Sequence, residues 1–403
     1  MTLPAVKRRT IRALIFGMLI YSLGMGTTYP LLGLIIAEQA TGSWNGLHAG
    51  ATGLGLLVGV FMAPPLCRWI GAGPTVIAGV ALMAASLLAM ATVAWSGPPD
   101  FWALFVMRVA LGCGANLMFV VAETALNGLA PPAQRGRVMG IYSSAVAFGF
   151  VVGPGVVALA SEAAAQVLLA CAAITAIAMA PIASARRPVS GVVSPVSAIH
   201  LPRAVSAAPF AFAFLVVASA VDTVAISLFP VIALAQHFTA AEGALLVGAF
   251  HFGLLLGQPF VGVLLDAIGR LRTVLACTLV SLGCAMAMVF GGSIGFLAVC
   301  GFMIAWGGAN YGLYTAGLAM LGDRFKGAAL TAATAAFAAV YALASISAPV
   351  FAGAVLDAFG PTGIYLGAAL IYFAVMLAGV LAFRPDEPTL TDQWGARPFS
   401  SDR

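Results

Sequence analysis

The sequence predicts an all-α integral membrane protein, and three observations carry that prediction. Of 403 residues, 62% are hydrophobic and only 8% are charged, with a mean hydropathy of +1.07, whereas about a quarter of an average soluble domain is charged. The apolar residues come in long unbroken runs rich in Ala, Leu and Gly, such as 76–94 and 328–348. A membrane barrel would instead show alternating segments of about ten residues. The basic residues recur at intervals between those runs. One span needs about 20 apolar residues to cross roughly 30 Å of hydrocarbon, so the chain has room for about a dozen helices and almost no extramembrane domain. The same composition excludes a disordered chain.

Breaks at Pro, Gly or charge separate twelve spans: 13–37, 46–66, 74–96, 101–126, 137–160, 164–184, 209–235, 243–264, 273–291, 294–320, 328–352 and 362–384. An even number puts both termini on one side. Lys7, Arg8, Arg9 and Arg12 lie there, followed along the chain by Arg68, Arg135, Arg137, Arg186, Arg187, Arg203, Arg270, Arg272, Arg324, Lys326, Arg384, Arg397 and Arg403. That is 17 of the 18 Lys and Arg, and the positive-inside rule makes this side cytoplasmic, in a cytoplasmic (inner) membrane crossed many times. The opposite loops hold Glu38, Asp100 and Glu242. The net charge of +5 therefore reports topology, and no nucleic-acid surface is expected. Residues 11–37 are too long for a cleavable signal and read as the first span. The six cysteines fall in or at the ends of spans without CxxC spacing, so neither a disulfide framework nor a metal site is expected. Trp44, Trp95 and Trp102 sit at span ends as interfacial anchors.

The chain repeats itself. Leu54-Gly-Leu-Leu-Val-Gly59 recurs as Phe252-Gly-Leu-Leu-Leu-Gly257, and Ile70-Gly71 recurs as Ile268-Gly269. Tyr29-Pro30 matches Phe229-Pro230, and Cys113-Gly-Ala-Asn116 matches Gly307-Gly-Ala-Asn310. Spans one, two and four thus stand opposite seven, eight and ten. A six-helix unit repeated in parallel gives two pseudo-symmetric bundles with a solute path between them. The expected organisation is a bundle over 1–184, a cytoplasmic linker over 185–208, a second bundle over 209–388 and a cytoplasmic tail over 389–403.

Three motifs resemble those of the major facilitator superfamily. The loop after span eight reads Gly262-Val-Leu-Leu-Asp266-Ala-Ile-Gly269-Arg270-Leu-Arg272, similar to that family's Gly-x-x-x-Asp-x-x-Gly-Arg-x-Arg signature. Arg108-Val-Ala-Leu-Gly112-Cys-Gly114-Ala115 in span four resembles the pattern of its proton-coupled members. Gly149-Phe-Val-Val-Gly153-Pro154 in span five resembles the core of a signature seen in its exporters. Two departures stand out: Arg68 occupies the place of the Asp in the first-half loop, and Val157-Ala158 follow where a Gly pair is usual. The segment from Glu123 to Arg137 is similar to that of an uncharacterised bacterial branch near sugar and drug exporters. The resemblance implies a secondary transporter with Asp266, Gly269, Arg270 and Arg272 as a gating loop.

An ionisable group within a span costs about 2.5–3.5 kcal/mol on insertion scales, so each one needs a reason. Arg108 stays charged and needs polar partners. It either controls a nearby proton site or snorkels to the interface. Asp222, mid-way along span seven, is a proton carrier by its depth, or else a packing carboxylate held by a hydroxyl or by His251. His251 lies at the depth of Asp222 by rise-per-residue counting. Glu123 lies below Arg108 on roughly the same helical face and either joins the proton-coupling groups or braces the loop through Arg135 or Arg137. Tyr21, Tyr29, Phe229, Tyr311, Tyr314 and Tyr341 are aromatic candidates for the wall of a solute cavity. Asn116 and Asn310 either touch solute or hold helices together.

The only lysines are Lys7 and Lys326, and neither follows a Gly-rich phosphate cradle, so ATP-driven transport by this chain is excluded. The four histidines form no HExxH motif. The expectation is a non-enzymatic, monomeric, cofactor-free carrier for a small organic solute, coupled to protons and favouring export. Uptake of a sugar or metabolite is the alternative, and a transporter-like sensor or assembly factor is the reading from another class.

Overall fold

The computed structural model describes residues 5–95, 100–131, 134–190 and 201–382. Nearly all of them are helical. In chain order the helices are α1 (Ala5–Ala37), α2 (Gly42–Trp69), α3 (Ala72–Trp95), α4 (Phe101–Leu129), α5 (Arg135–Ala160), α6 (Ala164–Ser190), α7 (Leu201–Ala207), α8 (Pro209–Ala235), α9 (Ala240–Ala267), α10 (Arg270–Met288), α11 (Gly291–Ile294), α12 (Phe296–Arg324) and α13 (Gly327–Ala382).

Eleven of these helices are long and apolar enough to cross a membrane, yet α13 has 56 residues, about 84 Å if straight. It breaks at Gly360, whose φ of 65° and ψ of −167° are non-helical. A side chain is strained there, and Pro361 cannot donate back into the helix before it. The two pieces, 327–359 and 361–382, bring the number of described spans to twelve. Turn chemistry repeats with the sequence: Gly71 and Gly269 both have positive φ, 88° and 84°. The residues before them, Ile70 and Ile268, close α2 and α9 by donating to Leu66 O and Leu264 O, each at 2.9 Å. At the opposite face Asp100 caps α4 by accepting from the Trp102 and Ala103 amides, and Thr239 and Glu242 form a reciprocal capping box on α9.

The helices run past the apolar runs that predict them, because backbone bonding continues into the interfacial layer. α1 already starts at Ala5 and carries Lys7 to Arg12 in its opening turns. The connection expected over 185–208 is helical at both ends, since α6 continues to Ser190 and α7 precedes α8. The middle of that linker (191–200) and the tail (389–403) lie outside the described residues.

Buried apolar side chains form two cores, one drawn almost wholly from residues 11–189 and the other from 204–372. Tyr29 and Phe150 pack against both, so they mark the seam between the bundles. Three helix pairs make most of that seam. Along α2 and α13, a methyl added at Gly46 would collide with the Pro349 carbonyl, and one at Gly50 would sit 2.8 Å from the Ile346 carbonyl. Side chains larger than hydrogen would push these helices apart. Asp357 of α13 accepts from the Gly42 and Ser43 amides at 2.7 and 2.8 Å, where the positive end of the α2 dipole favours a carboxylate. In the second pair, α5 meets α9 at Phe150 and His251, and in the third, α1 meets α8 where Gly33 faces the Ser227 carbonyl.

All these contacts lie in the helix halves away from the basic ends. Towards the basic face none of the described glycines lies against the other bundle. The close contacts between the bundles are thus concentrated at the neutral face.

Candidate functional site

Asp222 sits halfway along α8, whose surroundings are otherwise apolar, and is 7% exposed. Three side chains from three other helices converge on it. The Tyr341 hydroxyl (α13) donates to Oδ2 at 2.7 Å, the Tyr311 hydroxyl (α12) donates to Oδ1, and His251 Nε2 (α9) lies 3.4 Å from Oδ1. The other ring nitrogen, Nδ1, is 2.8 Å from the Val247 carbonyl. A carbonyl oxygen only accepts, so the hydrogen-bond network assigns a hydrogen to Nδ1. A neutral ring with Nδ1–H would turn the Nε2 lone pair towards a carboxylate oxygen, two acceptors face to face. At 3.4 Å the contact is within ion-pair range and longer than a hydrogen bond, and a proton on either group would join the two. His251 is 1% exposed and its ring stacks on Phe150 of the other bundle at 5.4 Å. The cluster around Asp222 thus touches the seam.

The first bundle holds a different group at the pseudo-equivalent region. Arg108 of α4 is 2% exposed; its Nε donates to Thr52 Oγ1 at 3.1 Å, and its guanidinium lies 5.7 Å from the centre of the Tyr29 ring. Among the described residues no carboxylate reaches ion-pair distance of Arg108. Tyr29 stands between the two halves' charges, within electrostatic reach of both Arg108 and Asp222. Ser22, the counterpart of Asp222 in the repeat, bonds to the Leu19 carbonyl at 3.0 Å and the Ala145 carbonyl at 3.3 Å. It ties α1 to α5 and has no ionisable role.

The remaining candidates separate into cavity wall and packing. Tyr21, Phe119 and Tyr142 form an aromatic chain with centroids 6.0 and 6.4 Å apart, and Tyr314 packs edge-on to Phe337 and Tyr341. Glu123 is half-buried, within electrostatic reach of Tyr142 and Tyr314. It makes no ion pair with Arg137, and the side chain of Arg135 lies outside the described ones. Asn116 donates to the Leu56 carbonyl at 2.8 Å, joining α4 to α2. Asn310 is fully buried, donating to the Ala218 carbonyl at 3.0 Å and accepting from the Tyr372 hydroxyl at 2.7 Å, which consumes its amide within the second bundle. Phe229 is 3% exposed, packed on Phe250 and Trp306 inside that core.

The loop motif closes on its own bundle. Arg270 Nε meets Asp323 Oδ2 at 3.0 Å, and its Nη1 meets the Leu265 carbonyl at 3.1 Å and Asp266 Oδ1 at 3.7 Å; Gly269 provides the turn and Arg272 is exposed. No bond from it bridges the described parts of the two bundles at the basic face. In α5 the backbone at Gly149 and Gly153 lies against α1 at Ser22 and Gly26, and Pro154 reaches Gly248 of the second bundle. Asp357, Asp323 and Phe150 have no signal in the sequence, because their partners lie in other helices far along the chain.

Two six-helix bundles, joined closely at one face and burying ionisable groups at mid-depth, define the class: a polytopic membrane transporter. The model of the Major Facilitator Superfamily matches residues 14–220 and 210–401, and the chain belongs to that superfamily. It is 25% identical over 369 residues to the uncharacterized MFS-type transporter YfkF of Bacillus subtilis (strain 168), covering 88% of this chain and 91% of the relative. Its fold is similar to that of a point mutant of the nucleoside transporter NupG (TM-score 0.77, 13% identity, 93% of this chain and 100% of that one). It is also similar to the human organic anion transporter MFSD10 (TETRAN) (TM-score 0.64, 16% identity, 93% of this chain and 100% of that one).

Proposed function

We propose that this transporter exports a small organic solute in exchange for protons, working by alternating access as a monomer in the cytoplasmic membrane with its basic face towards the cytoplasm. The carrying observation is the convergence of Tyr311, Tyr341 and His251 on the buried Asp222 carboxylate, with His251 Nε2 3.4 Å from Oδ1, an arrangement in which a shared proton would join two acceptors. With the basic face inward, the close α2–α13 and α5–α9 contacts support the reading of an inward-open state in which they form the closed outer seam. Solute enters from the cytoplasm beside Glu123, Tyr142 and Tyr314. Opening outward breaks the stack of His251 on Phe150, so the proton-holding pair changes surroundings as the bundles rock. Arg108 supplies a fixed positive charge across the seam, and Tyr29 transmits its field towards Asp222. The Gly149, Gly153 and Pro154 motif in α5 supports the export direction.

Growth of a deletion strain against a compound panel identifies the solute, which is then followed in proteoliposomes under an imposed pH gradient. Acid outside should drive outward movement of the solute with proton entry. Uptake with protons would reverse the direction assigned here, and saturable counterflow without a response to the gradient would remove the proton. A sensor or assembly factor would show no saturable flux.

A further inference from the structure

A groove of about 530 Å³ opens near the basic end of the first bundle, between α1 and α6. Arg9, Arg12, Ala13 and Phe16 line it from α1, a spacing that puts all four on one helical face. Ala180, Pro181 and Ser184 line it from α6. The two helices run antiparallel, so Phe16, Ala180 and Pro181 form the deeper part and the arginines the mouth. Arg9 and Phe16 are separated by about 10 Å along the axis. Both arginines are exposed, and neither pairs with a carboxylate among the described residues. The Ser184 hydroxyl turns to the Pro181 carbonyl at 2.6 Å, leaving the two guanidinium groups as the polar donors of the mouth.

We propose that this groove holds an anionic glycerophospholipid of the leaflet at the basic face, its phosphate between Arg9 and Arg12 and an acyl chain along Ala13, Phe16, Ala180 and Pro181. Guanidinium groups match phosphate oxygens in geometry as well as charge, and basic pockets beside membrane helices favour anionic headgroups. A soluble anion would satisfy the mouth and leave the apolar floor unfilled. A zwitterionic lipid would bring an ammonium against two cations. Two arginines at the membrane surface favour the anionic lipid by about thirtyfold.

The test is native mass spectrometry of the full-length protein after incubation with equal amounts of phosphatidylglycerol and phosphatidylcholine. Retained phosphatidylglycerol should exceed phosphatidylcholine at least tenfold. The paired substitution Arg9→Gln with Arg12→Gln should erase that excess, while the charge-matched pair Arg68→Gln with Lys326→Gln keeps it. Ala180→Phe should also lower retention, because it fills the floor with both arginines in place, and glycerol 3-phosphate should not compete. Equal retention of the two lipids, an unchanged excess in the Arg9/Arg12 pair, or displacement by glycerol 3-phosphate overturns the proposal.

Discussion

The two halves of the molecule share a backbone and differ at its centre. In the second half His251, Tyr311 and Tyr341 converge on the buried Asp222 carboxylate. In the first half Arg108 holds a permanent charge with only a threonine hydroxyl and a tyrosine ring as close partners, and Ser22 replaces the carboxylate. A duplicated scaffold has placed a carboxylate–imidazole pair on one side and a guanidinium on the other. In the proposed cycle the second half carries the proton and the first sets the field in which it is carried. Uniting the two on one side would let a charged Asp222 pair directly with Arg108, and a bridge of that kind would hold the carboxylate in one protonation state.

This contrast can be broken at either side. Asp222→Asn carries the largest effect: the solute ratio sustained against 100 mV, about fiftyfold for one coupled charge, should fall to unity in proteoliposomes while counterflow persists. Normal accumulation by that variant would show that the proton travels elsewhere. Tyr341→Phe removes one hydroxyl from a group whose hydrogen bonds are worth about 1.5–3 kcal/mol when charged, so gradient-driven flux should drop by about tenfold or more with counterflow much less affected. Arg108→Gln should slow both modes in parallel, by about tenfold. A selective loss of the gradient-driven mode would give Arg108 a direct part in proton transfer. The smallest change is at the outer seam, where Asp357→Asn weakens a cap worth about 1 kcal/mol. It should shift the conformational balance about fivefold towards the outward-open state, read as faster labelling of a cysteine that replaces Leu356, which faces Gly42 across the seam.

Much of the architecture was legible before any coordinates. Apolar run lengths, the one-sided arginines and the repeat all follow from solvation and backbone bonding, and these act locally along the chain. The depth of Asp222 and His251 could be counted from rise per residue because both helices start at a defined end. Their partners were harder to read. Tyr311 and Tyr341 stood out as aromatics, but which helix face they present depends on how α12 and α13 rotate against α8. Asn116 and Asn310 looked alike as candidates for solute contact, and both are engaged by backbone carbonyls of neighbouring helices. The Gly42, Gly46 and Gly50 ladder has the spacing of a close helix contact, but its partner on α13 lies about 300 residues on. Asp357 was invisible for the same reason: it acts on a helix end in the other bundle.

The claim at the centre of this account is the proton shared by His251 and Asp222, and nitrogen-15 NMR of His251 in the purified protein tests it without any solute. At neutral pH the account predicts Nδ1 protonated in both wild type and Asp222→Asn. Nε2 should carry or accept a proton in wild type and be bare in the variant, where the asparagine amide can donate to it. A bare Nδ1 with a protonated Nε2 in both proteins would contradict it.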